Sequence, residues 1–369
     1  MTARLCPHLS ECGGCQLQHL DHSAYIKAKE DLLSIALEAH SISCTNRLQL
    51  QTFTPAARRR VQFKAERQEG QIALGFYARR SHTLVDIQTC LVVEPLIRDF
   101  LEPLRDGMRH ILQENQKAEI HVLAADEGLD VHILASNKSE MNARHNTALL
   151  LWAEAQSGLA RLRVNQHLIF LRHAPHLSFA DVKVAVDASS FLQASAESEA
   201  YMVDTCLKAI LQHCPKPKRL VDLFCGRGTF SLPLAKLAAV MAYESEEEAL
   251  KALTKVAHHA QHKLTVHRRN LLKEPLTPLE LREASAVIMD PPRSGALAQA
   301  RNLANSDVPC IVSISCDPQT FARDAAILCA GGYTLIQVQG IDQFHWSTHL
   351  EVMGVFIKLN SRLPKRRGL

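Results

Sequence analysis

The sequence has no apolar run approaching the roughly 20 residues that span a bilayer, which sets aside a helical membrane protein. Its first eleven residues, Met1 to Glu11, lack the apolar centre of a secretory signal, so the expectation is a cytoplasmic protein with no membrane partner. No internal repeat and no low-complexity stretch breaks the chain, which excludes a repeat architecture. Strong net charge is missing too. The 42 Lys and Arg against 38 Asp and Glu leave +4, a balance that permits nucleic-acid binding without requiring it. The cysteines do not come in an even number. Eleven of them in a chain without an export signal make a disulfide framework the wrong reading in a reducing compartment. Clustered cysteines are then metal ligands or catalytic groups. Cys206, Cys214, Cys310 and Cys329 stand singly in apolar surroundings and read as small core residues.

What is present fills 369 residues, room for two domains and a sizeable core, with an ordinary 47% hydrophobic and 22% charged content. A cysteine-rich start is followed by helix-like spacing over residues 23–39. From about 51 to 186 the pattern is strand-like, as at 60–66, 72–77, 119–125 and 128–135, which predicts an α+β domain. Arg58, Arg59, Arg60, Lys64, Arg67, Arg79 and Arg80 crowd this stretch and are candidates for RNA contact, whereas Lys365, Arg366 and Arg367 read as a solvated tail. From about 190 apolar strands and helices alternate. Strands are expected at 219–224, 240–244, 286–290 and 310–315, and helices at 201–214, 230–237, 247–260 and 319–330. Two more strands close the chain at 333–340 and 350–359. Such alternation predicts a mostly parallel sheet with helices on both faces.

Three motifs fall at the carboxyl edge of that sheet. VDLFCGRGTF at 221–230 runs from an apolar strand into a glycine turn, where Gly226 and Gly228 allow the backbone close to a ligand. Glu244 ends the next strand, where a carboxylate can hold ribose hydroxyls. The third glycine of a dinucleotide fingerprint is replaced by Ser231, which favours an adenosyl ligand without pyrophosphate over NAD. DPPRSG at 290–295 ends the fourth strand, its prolines stiffening the backbone around Asp290. Finally, IVSISCDP at 311–318 sets Cys316 at a strand tip beside the same edge, where a soft thiolate could act as nucleophile. Glu351, at the start of the last strand, could return to that edge or be a surface residue. At the N-terminus Cys6, Cys12, Cys15 and the distant Cys90 suit an iron-sulfur cluster or zinc, with Cys44 a spare.

Taken together, these residues resemble the RNA (uracil-5-)-methyltransferases over nearly the whole chain. The resemblance rests on Cys6-Pro-His with Cys12-Gly-Gly-Cys15 and Cys90, on Phe191-Leu-Gln193, on DLFCG at 222–226, on DPPR at 290–293, on the SC-x-P-x-T-x-ARD run at 315–324 and on Glu351. It implies a Rossmann-like class I methyltransferase domain with a seven-stranded sheet, preceded by an α+β iron-sulfur and RNA-binding domain. It implies three regions: 1–48 with Cys90, 49–188 and 189–369. It implies Cys316 as the covalent nucleophile toward carbon 6 of a uracil and Glu351 as the base that clears carbon 5. Gln193, Phe224, Thr229, Glu244, Asn270 and Asp290 match cofactor-contacting positions for S-adenosylmethionine. Cys6, Cys12, Cys15 and Cys90 match the ligands of a [4Fe-4S] cluster. Relatives often begin with a β-barrel domain, and Cys6 stands almost at the start here. That points to the shorter branch acting on 23S ribosomal RNA, as a monomer, with transfer RNA as the alternative substrate. Asp317 stands where Asn is frequent, and the 344–349 segment lacks a common proline. An amino-group methyltransferase and a non-enzymatic iron-sulfur RNA-binding module are the rivals. The first needs no cysteine and usually follows Asp-Pro-Pro with an aromatic residue, where this chain has Arg293.

Overall fold

The structure, a computed structural model, describes residues 6–136, 143–259 and 263–358. The basic residues Lys365, Arg366 and Arg367 lie outside the described residues. No helix among the described residues is long and apolar enough to cross a membrane.

Alternating apolar side chains shape the middle of the chain. After a two-residue strand, β1 (Asn46–Arg47), come β2 (Arg60–Gln68), β3 (Gln71–Tyr77), β4 (Leu84–Asp86), β5 (Lys117–Ala125), β6 (Gly128–Ala135), β7 (Leu159–Val164) and β8 (His167–Leu171). The last seven form one sheet in the order β4-β3-β2-β5-β6-β7-β8, antiparallel except between β6 and β7. Val61, Phe63, Ile120, Val122, Val131 and Ile133 point to one buried face, packed against the helices Leu101–Arg109 and Ala143–Ala155. The packing is close enough that a Cβ added to Gly107 would meet the Trp152 ring at 2.6 Å. A hairpin, β9 (His176–Phe179) and β10 (Val182–Ala185), then wedges Leu177, Phe179 and Val184 between Leu123 of this sheet and Leu232 and Leu253 of the second half.

The second half is the expected alternating unit. Its strands are β11 (Arg219–Leu223), β12 (Ala239–Glu244), β13 (Leu264–Arg268), β14 (Ala286–Met289), β15 (Cys310–Ser315), β16 (Tyr333–Ile341) and β17 (Glu351–Lys358). The sheet order is β1-β16-β17-β15-β14-β11-β12-β13, and only β17 runs antiparallel to its neighbours. Every residue of β14 and β15 is buried, as strands covered on both faces must be. The order reverses between β11 and β14, which opens a crevice at their carboxyl ends. Two details differ from the expectation. The sheet has eight strands, because β1 pairs in parallel with β16 and covers what would be a free edge. The added strand β13 carries Thr265 and His267 among its five residues and is nowhere fully buried, so it lacks the apolar run that marks its neighbours.

The N-terminal helix His22–Ala39 belongs to the core of this second half. Asp21 caps it by accepting from Ala24 N–H at 2.8 Å. Leu33, Ala36 and Leu37 pack in one cluster with Phe321, Ala325, Leu328 and Val338. The same helix buries Lys29 completely. Its Nζ pairs with Asp342 Oδ1 at 2.7 Å and donates to the carbonyls of Phe344 (3.0 Å) and His349 (2.6 Å). Tyr25 donates its hydroxyl hydrogen to the same Asp342. From the cysteine-rich segment, Gln16 and Leu17 N–H both donate to the Trp346 carbonyl, at 2.8 and 2.9 Å. The loop between β16 and β17 is therefore held from the first 30 residues of the chain.

Removing one partner of a buried ion pair leaves the other charge stranded. Lys29→Met is expected to destabilise the protein by about 3–5 kcal/mol in urea unfolding, and the further change Asp342→Asn to recover part of that loss. A loss below ~1 kcal/mol would show that Asp342 finds another partner.

Candidate active site

Four strand ends meet at the crevice. The register pairs Leu223 with Met289 and with Tyr243, so Phe224, Asp290 and Glu244 follow at one level. On the antiparallel side Ser315 pairs with Val352, so Cys316 and Glu351, the next residue of each chain segment, come to the same end of the sheet, and Glu351 acts on the Cys316 thiol. Cys316 precedes Asp317, whose carboxylate accepts from Gln319 and Thr320 N–H and caps the helix Pro318–Ala330. Ser315 locks this turn, its hydroxyl donating to the Asp317 carbonyl and accepting from Asp317 N–H. The 290–295 turn is clamped by the same helix. Arg323 donates to the Ser294 carbonyl and to Asp324, and Asp324 accepts from Ala296 N–H at 2.7 Å. At Gly295, with φ of +71°, a Cβ would meet the Arg323 guanidinium at 2.4 Å. Arg293 reaches Asp317 at 3.5 Å, tying the Asp290 turn to the Cys316 turn.

A chain of side-chain hydrogen bonds crosses the crevice. Gln193 Nε2 donates to Asp290 Oδ2 at 2.7 Å. Gln343 Nε2 donates to Gln193 Oε1 at 2.9 Å and to Glu351 Oε2 at 2.6 Å. Gln193 is steadied from behind, because Arg59, buried and paired with Glu199 at 2.6 Å, donates to its backbone carbonyl. Glu351 is only 2% exposed. Burial pushes its carboxyl well above the usual range, and neighbouring Asp290 pushes it further. Asp290 is raised by its own burial. Burial, then Glu351 and Asp290, push the Cys316 thiol up to about 12. Below them Asp222 is raised to about 7, first by burial and then by Asp290 and Glu244. Acidic groups therefore crowd a poorly hydrated space.

The glycine turn completes the crevice. Phe224 sits at φ of +62° and Gly226 at +54°. A phenylalanine in that region costs about 1–2 kcal/mol, a strain typical of functional sites. A Cβ on Gly226 would meet open space, whereas one on Gly228 would strike Leu253 at 2.5 Å. Glu244 is fixed by Gly226 N–H at 3.0 Å and by Ser245 and Glu246 N–H. Asp222 Oδ1 is buried and finds no hydrogen-bond partner among the described residues, while Oδ2 accepts from Ser231 at 2.5 Å. An orphaned acceptor, open space over a glycine and a set of like-charged carboxyls fit a ligand that carries N–H donors and positive charge. The ammonium and sulfonium of S-adenosylmethionine have those properties.

Two expected contacts sit apart from this group. The Thr229 hydroxyl bonds the Glu199 carboxyl, facing the Arg59 pair. Asn270 is exposed and accepts from Leu272 and Lys273 N–H, closing its own turn after β13. Thr229, Arg59 and Glu199 also line a cleft of about 670 Å³ between the central sheet and the helix Ala196–His213, lined by none of Cys316, Glu351, Asp290 and Glu244. The basic cluster is divided. Arg59 is buried in its ion pair, Lys64 pairs with Glu119, and Arg67 holds the carbonyl of Leu112, while Arg79 and Arg80 are exposed in the turn after β3. Sequence reasoning missed Gln343 and Lys29, which carry no spacing or residue-type signal, and gave no role to Asp222, although it opens the DLFCG motif.

The N-terminal thiols face one another. Burial pushes Cys15 up to about 12, and Cys90, Cys12 and Cys6 push it further, while Arg58 opposes them. Cys90 is raised by burial and then by Cys12 and Cys6, against backbone N–H donors of Val92 and Val93. Cys44 instead lies near Cys329. Among the described residues no group of three or more His, Cys, Asp or Glu is gathered tightly enough to hold a metal ion. The four thiols influence one another's ionisation, and Arg58 beside them favours a thiolate at Cys15.

Known proteins share this arrangement. Residues 170–360 match the model of the tRNA (uracil-5-)-methyltransferase family. An uncharacterized RNA methyltransferase of Brucella suis is 38% identical over 96% of this chain and 84% of its own. The 23S rRNA (uracil(1939)-C(5))-methyltransferase RlmD of Halomonas elongata is 32% identical over 94% of this chain and 75% of its own. Among solved structures, the Pyrococcus abyssi tRNA (uracil-54, C5)-methyltransferase in complex with S-adenosyl-L-homocysteine has the same fold. Its TM-score is 0.71 at 18% identity, covering 94% of this chain and 86% of that one. The chain belongs to the RNA (uracil-5-)-methyltransferases, S-adenosylmethionine-dependent enzymes of the class I α/β fold.

Proposed function

We propose that this enzyme methylates carbon 5 of a uridine in 23S ribosomal RNA through a covalent adduct with Cys316. The observation that carries the reading is that Cys316 lies close enough to Glu351 and Asp290 for both carboxyls to act on its thiol, with Gln193 bonded to Asp290. The ribosomal target is supported by the Halomonas relative. Carbon 5 of uracil is a weak nucleophile, and Cys316 corrects that. Its Sγ, on losing its proton, bonds carbon 6, and the carbon 5–carbon 6 π electrons move onto the O4 side as an enolate. When bound, S-adenosylmethionine supplies the methyl group that carbon 5 receives. Glu351 then takes the remaining carbon-5 proton, the C–H pair re-forms the double bond, and the bond to Sγ breaks. A base held in an RNA helix or loop is flipped out to reach this crevice.

Gln193, Phe224, Glu244 and Asp290 hold the cofactor in this reading, with Asp222 accepting from its ammonium and Thr229 and Asn270 at the margin. Residues 49–188 form an RNA-binding domain, and Arg79 and Arg80, exposed and without an ion pair among the described residues, are available to contact RNA. Cys6, Cys12, Cys15 and Cys90 hold a [4Fe-4S] cluster in this reading, four thiolates being the donor set that such a cluster takes. The cluster supplies a rigid cross-link between residues 6–15 and Cys90. Arg58 offsets its negative charge.

Three measurements test this. Mixed with S-adenosylmethionine and RNA containing 5-fluorouridine, whose carbon 5 has no proton to give up, the enzyme is expected to form an adduct that survives denaturation. Cys316→Ala should form none, and an adduct that persists in it would sink the mechanism. Binding of S-adenosylmethionine should tighten as pH rises from about 6 to 8, because a cation favours ionised Asp222, whose pKa is about 7. The change should approach tenfold per pH unit below that pKa and release protons in calorimetry. A flat profile would remove Asp222 from the cofactor site. Protein purified without oxygen should be brown and hold about four irons, and Cys15→Ser should lose them. Colourless protein with one zinc would overturn the cluster.

A further inference from the structure

Gln343 uses every hydrogen-bonding group of its amide. Oε1 accepts from Ala194 N–H at 2.9 Å and from the Ser198 hydroxyl at 3.2 Å, and Nε2 donates to Gln193 Oε1 and Glu351 Oε2. Amide oxygen and nitrogen are often interchangeable by shape alone. Here they are not, because a backbone N–H can only donate, so the atom facing Ala194 must be oxygen. That single donor orients the rest. Nε2 must donate, so Gln193 turns its oxygen toward Gln343 and its nitrogen toward Asp290, and Glu351 Oε2 must accept. The carbonyl oxygen of a neutral carboxyl is a better acceptor than its hydroxyl oxygen, so this bond favours Oε1 as the oxygen that carries a proton.

We infer that Gln343 is a positioning residue for proton removal: by occupying Glu351 Oε2 it reserves Oε1 for the carbon-5 hydrogen, and through Gln193 it fixes that oxygen relative to the cofactor-side Asp290. The inference rests on Glu351 being the base. In the step concerned the carbon-5–hydrogen bond breaks and its proton passes to Oε1. The bonding pair becomes the carbon 5–carbon 6 double bond, and Sγ of Cys316 departs with the pair of its bond to carbon 6. Gln343 touches no reacting atom. It is itself immobile, because its neighbour Asp342 is pinned by Lys29 and Tyr25.

The test separates methyl transfer from proton loss. Unmodified RNA carrying [5-3H]uridine, on which the wild-type enzyme releases tritium, is incubated with methyl-labelled S-adenosylmethionine. Tritium release, methyl incorporation and denaturation-stable complex are followed in single turnover. Gln343→Met, close in volume and without an amide, should slow tritium release by roughly tenfold or more, with methyl incorporation changed by less than about threefold, so that methylated complex accumulates. Gln343→Glu keeps the shape and sets a carboxyl against Glu351. It should also move the rising limb of the tritium-release pH profile upward by about one unit or more. If Gln343→Met does not fold, Gln343→Glu carries the same comparison. Methyl transfer and tritium release falling together, with no complex accumulating, would overturn the inference and leave Gln343 merely structural. Glu351→Gln is the control: if it too accumulates no complex, the base assignment fails, whatever Gln343 does.

Discussion

Two carboxyls and a thiol share one poorly hydrated space, and the rest of the active half is arranged around that crowding. Asp290 and Glu351 each raise the proton affinity of Cys316, and burial raises all three. Left alone, such a set resists ionisation, since an isolated ionised group in a low-dielectric site is costly. The crowding becomes useful when a cation arrives, because the same proximity that penalises negative charge then stabilises it. Ionisation of these groups and the arrival of a cation are therefore coupled.

Holding that crowding in place takes contacts from the whole chain. Arg323 and Asp324 clamp the turn after Asp290, and Arg59 reaches from the central sheet to the backbone of Gln193. The first helix pins the loop that precedes Glu351 through Lys29 and Tyr25. Arg58 joins these regions: its guanidinium lies 5.6 Å from the Phe344 ring in that loop, and it lowers the Cys15 thiol. The N-terminal segment is thus tied to the loop before Glu351 by Arg58 and by the Gln16 and Leu17 bonds to Trp346.

Much of this was legible in the sequence because burial on both faces leaves a strong mark. The strands β11, β14 and β15 are largely apolar, Asp222, Ser313 and Ser315 being the buried polar exceptions, and lead directly into Phe224, Asp290 and Cys316, so both the fold and the edge could be read from them. The strand β13 was invisible because a half-buried edge strand with Thr265 and His267 has no such run. Strand β1 is two residues long and exists through its partner β16. Gln343 escaped for a different reason. Its role depends on which atoms surround a single amide in a loop, and no periodicity encodes that. The basic cluster was legible as charge, but charge alone did not tell Arg59, buried opposite Glu199, from Arg79 and Arg80 in an exposed turn.

The bond from Tyr25 to Asp342 closes a loop of 317 residues. Chains are synthesised from the N-terminus, so the helix that carries Tyr25 and Lys29 leaves the ribosome long before its partners exist. Until then Lys29 is an ordinary solvated lysine, and Leu33 and Leu37 have no core to enter. The central sheet, whose contacts lie mostly within its own span, can fold meanwhile. The methylating half can close only when nearly the last strand has been made. A truncated or stalled chain therefore presents no assembled crevice, and an enzyme whose substrate is RNA gains competence only when that half has closed.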